Sequence, residues 1–132
     1  MGLSSTRLNN IMKLVVFLSF LNQLKIFHWQ TFSYSQHKAL GKSYETLDGL
    51  FDNFVETYYG KYGKTLQAKI YNFEADALTP ETDVKKFISN KKRDLINYLR
   101  NEVISDKDED LKNIVDEIEG ELNHLQYLLE LS

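Results

Sequence analysis

The stretch from Ser33 to Gly60 reads SYSQHKALGKSYETLDGLFDNFVETYYG, and its periodicity decides the fold. Leu40, Tyr44, Leu47, Phe51, Phe54 and Tyr58 recur at alternating spacings of four and three. That is the period of one apolar face along a helix. Ser33, with Gln36 three residues on, has the spacing of a capping box. Gly60 and Gly63 are suited to a C-cap. A helix over 34–59 is predicted. Gly41 and Gly49 lie inside it, each costing up to ~1 kcal/mol against alanine, and they mark points where another helix could approach closely.

Upstream, Leu14, Phe17, Leu21, Leu24 and His28 form a second helical stripe, preceded by the hydroxyls of Ser4, Ser5 and Thr6 as N-cap candidates. Val15, Val16, Leu18 and Phe20 add apolar surface off that stripe. A helix apolar on more than one face is covered on more than one face, inside a bundle, at a subunit interface, or both. This helix is expected over 6–30. Its apolar run is far short of the ~20 residues a membrane span needs, and no small-residue cleavage site follows it. The expectation is a soluble, cytoplasmic protein.

Downstream, Lys61 to Leu78 has no strong period. It is long for a link between adjacent antiparallel helices, so a crossover along the bundle is expected, with a short helix around Leu66 to Phe73. Thr79-Pro80 reads as N-cap and first helical residue, and Glu81 and Asp83 favour the helix dipole. Val84, Phe87, Ile88, Leu95, Leu99 and Val103 give a third helix over 80–104, although Lys91 and Lys92 interrupt its stripe. Asp106 to Glu109 breaks the chain and restarts it with capping-box spacing. Leu111, Ile114, Ile118, Leu122, Leu125 and Leu129 complete a fourth helix over 109–131. The fold expected is all-α: a single domain over 1–132, a four-helix bundle with a long crossover between the second and third helices.

Composition narrows the chemistry. The chain has 132 residues, enough for one domain with a real core, and 42% of them are hydrophobic, which argues against disorder. There is no cysteine, so disulfides, thiolate metal sites and cysteine catalysis are excluded. The net charge of −3 makes the chain as a whole a poor match for nucleic acid. Lys85-Lys86 and Lys91-Lys92-Arg93 form a basic strip, balanced by Glu81, Asp83 and Asp94. It is a solvated face or a weak nucleic-acid patch. No phosphate-binding loop, dinucleotide fingerprint or nucleophile triad is present.

Four residues remain as candidate metal ligands. His28 and His37 flank the predicted turn, and paired imidazoles suit a first-row transition metal. Either histidine alone could equally be a core or capping group. Asp52 and Glu56 share one helix face and repel each other unless a cation lies between them; otherwise they are a solvated acidic edge. His37 and Asp52 are 15 residues apart, which is roughly 22 Å along a helix. Metal–ligand bonds of ~2 Å cannot close that gap within one chain. If all four bind one metal, the imidazoles come from one subunit and the carboxylates from another, and a two-fold axis builds two such sites at once. Glu121-Leu-Asn-His124 has a Glu-x-x-His spacing of the di-iron type, but the first helix has no acidic residue from Thr6 to Gln30, so that set is incomplete and His124 is expected to be structural or at the surface.

These residues resemble the Dps-type miniferritins of the ferritin-like superfamily. His28-Trp29 is similar to the family's His-Trp at the end of its first helix, His37 to its second histidine, and Asp52-Asn-Phe-Val-Glu56 to its Asp-x-x-x-Glu. Leu122 to Leu129 resembles its last helix. Small ferritin-like proteins of phages and large DNA viruses look similar too. The resemblance implies a ferroxidase centre shared across a two-fold interface of a hollow homo-oligomer, a dodecamer in the family. Fe(II) would be bound there, oxidised by hydrogen peroxide or dioxygen, and stored as ferric mineral. His28 and His37 would bind iron from one chain and Asp52 and Glu56 from its neighbour, while Trp29, close to the iron, could donate an electron. Zinc and manganese suit the same donors. The chain departs from the family in its shorter turn, in Gly41 where the family often has an aspartate, in Thr57 where it commonly has an arginine, and in lacking a lysine-rich tail. DNA binding is therefore not expected, and the short apolar run of the first helix argues against membrane association; a viral member would work in the host cytoplasm. A second expectation is a ferritin-fold interaction or virion-associated protein without a competent centre, and a weaker one is nucleic-acid binding through the Lys85–Arg93 strip.

Overall fold

An apolar stripe that continues for many turns must be covered along its whole length. In the computed structural model, which describes residues 5–63 and 70–132, the described residues of the four stripes pack into one hydrophobic core. The elements are α1 (Ser5–Gln30), α2 (Tyr34–Tyr62), α3 (Val84–Tyr98) and α4 (Glu109–Glu130), with a π-helical turn over Leu99–Val103 extending α3. No strand occurs among the described residues. The fold is an all-α four-helix bundle.

α2 buries Leu40, Leu47, Phe51 and Phe54, with Tyr44 and Tyr58 half-buried beside them. Ser33 caps it, its Oγ accepting the Gln36 N–H at 3.2 Å. The reciprocal half of the capping box does not form. Thr31 takes both partners instead: its Oγ1 accepts the Ser33 N–H at 3.1 Å and donates to Gln36 Oε1 at 2.7 Å. At the other end the helix runs past Gly60 and stops at Gly63, whose φ of 86° suits glycine and whose N–H reaches the Tyr59 carbonyl at 2.8 Å.

α1 meets α2 through an aromatic cluster. Phe17 stacks on Phe51 at 4.4 Å between centroids and meets Phe54 edge-on at 5.3 Å. Each such pair contributes about 0.5–1.5 kcal/mol beyond its buried area. Leu21, Leu24 and Phe27 continue the buried face, whereas Leu18 is exposed. The expected cap lies outside the described residues: Ser4 is not described, nor are the side chains of Ser5, Thr6 and Leu14.

The long connection returns the chain to the end of the bundle where α1 finishes. Gln23, buried on α1, grips the backbone of Asp76 with both ends of its amide: Nε2 donates to the carbonyl at 2.9 Å and Oε1 accepts the N–H at 2.7 Å. Gln30 accepts the Leu78 N–H at 2.7 Å. Of the short helix expected over Leu66 to Phe73, residues 64–69 lie outside the described residues and 70–73 are not helical. α3 then starts at Val84, not at Pro80. Thr79 to Thr82 close a turn, with the Thr82 N–H on the Thr79 carbonyl at 3.0 Å, and Pro80 takes the second position of that turn, where its fixed φ fits. The cap is Asp83, whose carboxylate accepts the Lys86 N–H at 3.1 Å.

Phe27 of α1 touches Phe87 of α3 edge-on at 5.1 Å, so α3 begins beside the end of α1. α4 begins beside the end of α2, where Tyr62 bonds Asp108, and runs back along it, with Ser43 donating to Glu121 at 3.0 Å. The helices therefore run up, down, down and up. α2 packs most extensively on α4 and α1. No helix among the described residues is long and apolar enough to cross a membrane.

Candidate metal centre

His28 stands in the last turn of α1 and His37 in the first turn of α2. The short turn folds one ring onto the other: the imidazoles stack at 3.8 Å, with 13° between their planes. Each then bonds the other's backbone. His28 Nδ1 lies 2.7 Å from the His37 carbonyl, and His37 Nδ1 lies 2.7 Å from the His28 carbonyl. A carbonyl oxygen only accepts, so both Nδ1 atoms carry protons, and in the neutral rings each Nε2 keeps its lone pair. An Nδ1–H held by a backbone carbonyl is the usual means of fixing the tautomer and orientation of a metal-binding histidine. The same bond has a structural effect. The His28 carbonyl is among the last four of α1, which have no partner within the helix, and His37 supplies one.

Asp52 and Glu56 lie further along α2, one turn apart and both exposed. Among the described residues neither pairs with a cation. Beside Asp52, between α1 and α2, lies an apolar hollow of about 270 Å³ whose walls include Leu18, Leu21, Phe51, Val55 and Tyr59. α2 is unbroken from His37 to Asp52, so the roughly 22 Å given by helix rise separates the imidazoles from the carboxylates. The structure thus brings His28 to His37 and leaves Asp52 and Glu56 at a distance. Among the described residues of one chain, no three His, Asp or Glu side chains are grouped closely enough to hold a metal ion.

Trp29 is 65% exposed, with Lys25 Nζ 6.0 Å from its ring. Phe32 and Tyr34 are also exposed, so three aromatic side chains project from the turn that carries the histidine pair. His124 is exposed and stacks on Tyr127 at 6.4 Å between centroids, while Glu121 receives the Ser43 hydroxyl. The basic strip is partly committed within the fold. Lys92 donates to Asn123 at 2.7 Å and to Gln126 at 2.9 Å, and Arg93 pairs with Asp94.

One polar cluster had no signal in the local sequence. Asp108 reads as part of a helix start, yet its side chain makes no cap bond to α4. It is buried, accepting the Tyr62 hydroxyl at 2.6 and 2.7 Å and the Ser105 N–H at 2.8 Å, and it pairs with Lys61. Burial alone would raise its pKa. The hydrogen bonds from Lys61, Ser105 and Tyr62, with the Lys61 charge, outweigh it and hold the carboxyl well below the usual range. In return, the hydrogen bonds to Asp108 and Asp110 push the Lys61 ammonium up.

The family of unknown function DUF5856 matches residues 28–129. The chain belongs to that family. No curated protein and no solved structure matches it. The part of the chain shared with DUF5856 includes His28, His37, Asp52 and Glu56.

Proposed function

We propose that this chain is a ferritin-like iron protein that binds Fe(II) between two copies of itself and oxidises it there. His28 and His37 of one subunit supply one nitrogen donor each, to separate irons of the centre, because rings stacked 13° from parallel cannot aim both lone pairs at one ion. Asp52 and Glu56 of the partner subunit supply hard oxygen donors and negative charge. The observation that carries the reading is the reciprocal Nδ1–carbonyl bonding of the two imidazoles, which commits both Nδ1 atoms and leaves both Nε2 atoms as donors.

Further support comes from what lies beside each half-site. Trp29 is exposed beside the imidazoles, and an apolar hollow lies beside Asp52. Pairing two copies antiparallel about a two-fold axis would bring these two apolar surfaces to one interface. Each Fe(II) gives up one electron at the site, and Trp29, next to His28 in the chain, would supply another. Two such electrons, with two protons, reduce one hydrogen peroxide to two waters; dioxygen is the alternative oxidant. The ferric product would be stored inside a closed homo-oligomer in the cytoplasm, twelve subunits being the number that the family resemblance implies. Zinc and manganese would compete for the same donors.

Fe(II) oxidation followed optically for the wild type and for Asp52→Ala tests this. The expected result is loss of the fast phase in the variant; equal rates remove the site.

A second reading has its own observation. The His37 bond to the His28 carbonyl also caps α1, and Trp29, Phe32 and Tyr34 stand exposed on the same turn. A ferritin-fold interaction or virion-associated protein would need only that. Under this reading the wild type takes up no iron and is found in solution as a monomer or an isolated dimer.

A further inference from the structure

Gly41 lies one turn after His37, inside α2, with helical backbone. Its φ is not positive; among the described residues only Gly63 has that. Nothing in the backbone therefore asks for glycine there, and glycine inside a helix costs about 1 kcal/mol relative to alanine. The reason lies across the hairpin. A Cβ at position 41 would stand 2.7 Å from His28 Cε1, 3.0 Å from Nδ1 and 3.5 Å from Nε2. The face of the imidazole covers the place where a side chain would begin. Gly49, Gly60 and Gly120 have nothing within 4 Å of the same position.

The ring cannot retreat without loss. It is stacked on His37 from another direction and bonded to the His37 carbonyl. Moving it by the several tenths of an ångström that a methyl group requires breaks the stack, the hydrogen bond, or both.

We propose that Gly41 is the positioning residue of the imidazole pair. Its missing side chain is the seat of the His28 ring, and the seat is incompatible with any donor group at position 41. Resting on the metal reading given above, this makes the half-site contributed by α1 and the start of α2 one of two nitrogens and no carboxylate. Among the described residues of one chain no carboxylate joins the two imidazoles in a metal-holding group, so the carboxylate donors come from the partner subunit.

The test uses four full-length proteins: wild type, Gly41→Ala, His28→Ala, and the double variant. Thermal midpoints are measured for all four. The His28 Nδ1 proton is followed by nitrogen-correlated NMR, and Co(II) serves as the metal probe. In the wild-type background Gly41→Ala is expected to lower the midpoint despite alanine's better helix propensity, to abolish the His28 Nδ1–H signal, and to weaken Co(II) binding about ten-fold or more. In the His28→Ala background the same substitution is expected to raise the midpoint, because the obstructing ring is gone. That reversal of sign is the signature of seating. A Gly41→Ala protein that is more stable than wild type and keeps the His28 Nδ1–H signal overturns the inference. Failure of the wild type to bind Co(II) overturns the metal reading instead, and the sign reversal still decides the seating.

Discussion

Asp108 contributes to the acid sensitivity of the fold. Its folded-state pKa is depressed, so the stability it contributes is present above its unfolded value, near pH 4, and is lost as pH falls through that value toward the folded one. Lys61 is the opposite case: raised in the fold, its contribution is present below its ordinary value and fades as pH rises beyond it. Replacing Asp108 by asparagine should cost about 1–3 kcal/mol at neutral pH, because charge-assisted bonds from Tyr62, Lys61 and the Ser105 N–H are weakened in a buried place. The deficit should shrink on acidification below about pH 4, where the wild-type carboxyl loses its own charge. Urea midpoints of both proteins over that range check this; a deficit that stays constant with pH would mean that shape, not charge, holds the α2–α4 corner.

The elements themselves were largely legible in the sequence. Leu40 to Tyr58 and Leu111 to Leu129 keep their period over many turns, and burial follows the period because a continuous stripe leaves a helix no choice of face. The start of α3 was less legible, because Thr79-Pro80 fits both a helix start and a turn, and only the competing carboxylate of Asp83 separates them. Contacts across the chain left no local trace. Asp108 meets Tyr62 from 46 residues away and Gln23 meets Asp76 from 53; neither pairing follows from propensity. Of the candidate site, the residues were readable from type and spacing. The reciprocal carbonyl bonds of His28 and His37, and the seat at Gly41, depend on how the hairpin closes. Gln23 gives the prediction at this scale. Gln23→Ala removes two hydrogen bonds that hold the crossover against α1 and should cost about 1–3 kcal/mol. Amide exchange should lose protection at Asp76 and its neighbours while α2 and α4 keep theirs. Unchanged protection at Asp76 would show that the crossover is held by other contacts.

At the scale of the whole molecule, the account turns on one geometric fact. α2 carries an imidazole near one end and carboxylates near the other, roughly 22 Å apart by helix rise. No motion of a straight helix brings them together, so a four-ligand centre exists only where two chains meet. On the proposed reading the oligomer is a condition of the chemistry, and this can be examined by complementation. One variant carries His28→Ala with His37→Ala; the other carries Asp52→Ala with Glu56→Ala. Each alone lacks one half of every site. In a two-fold heterodimer of the two, one site receives both intact halves and the other receives neither. Co-refolding equal amounts gives half of the dimers as heterodimers, so Fe(II) oxidation should recover to about a quarter of the wild-type rate, from a baseline near zero in either variant alone. Recovery on mixing is the result predicted; two variants that oxidise iron as fast as wild type, or that stay inactive after verified heterodimer formation, would contradict a site built from two chains.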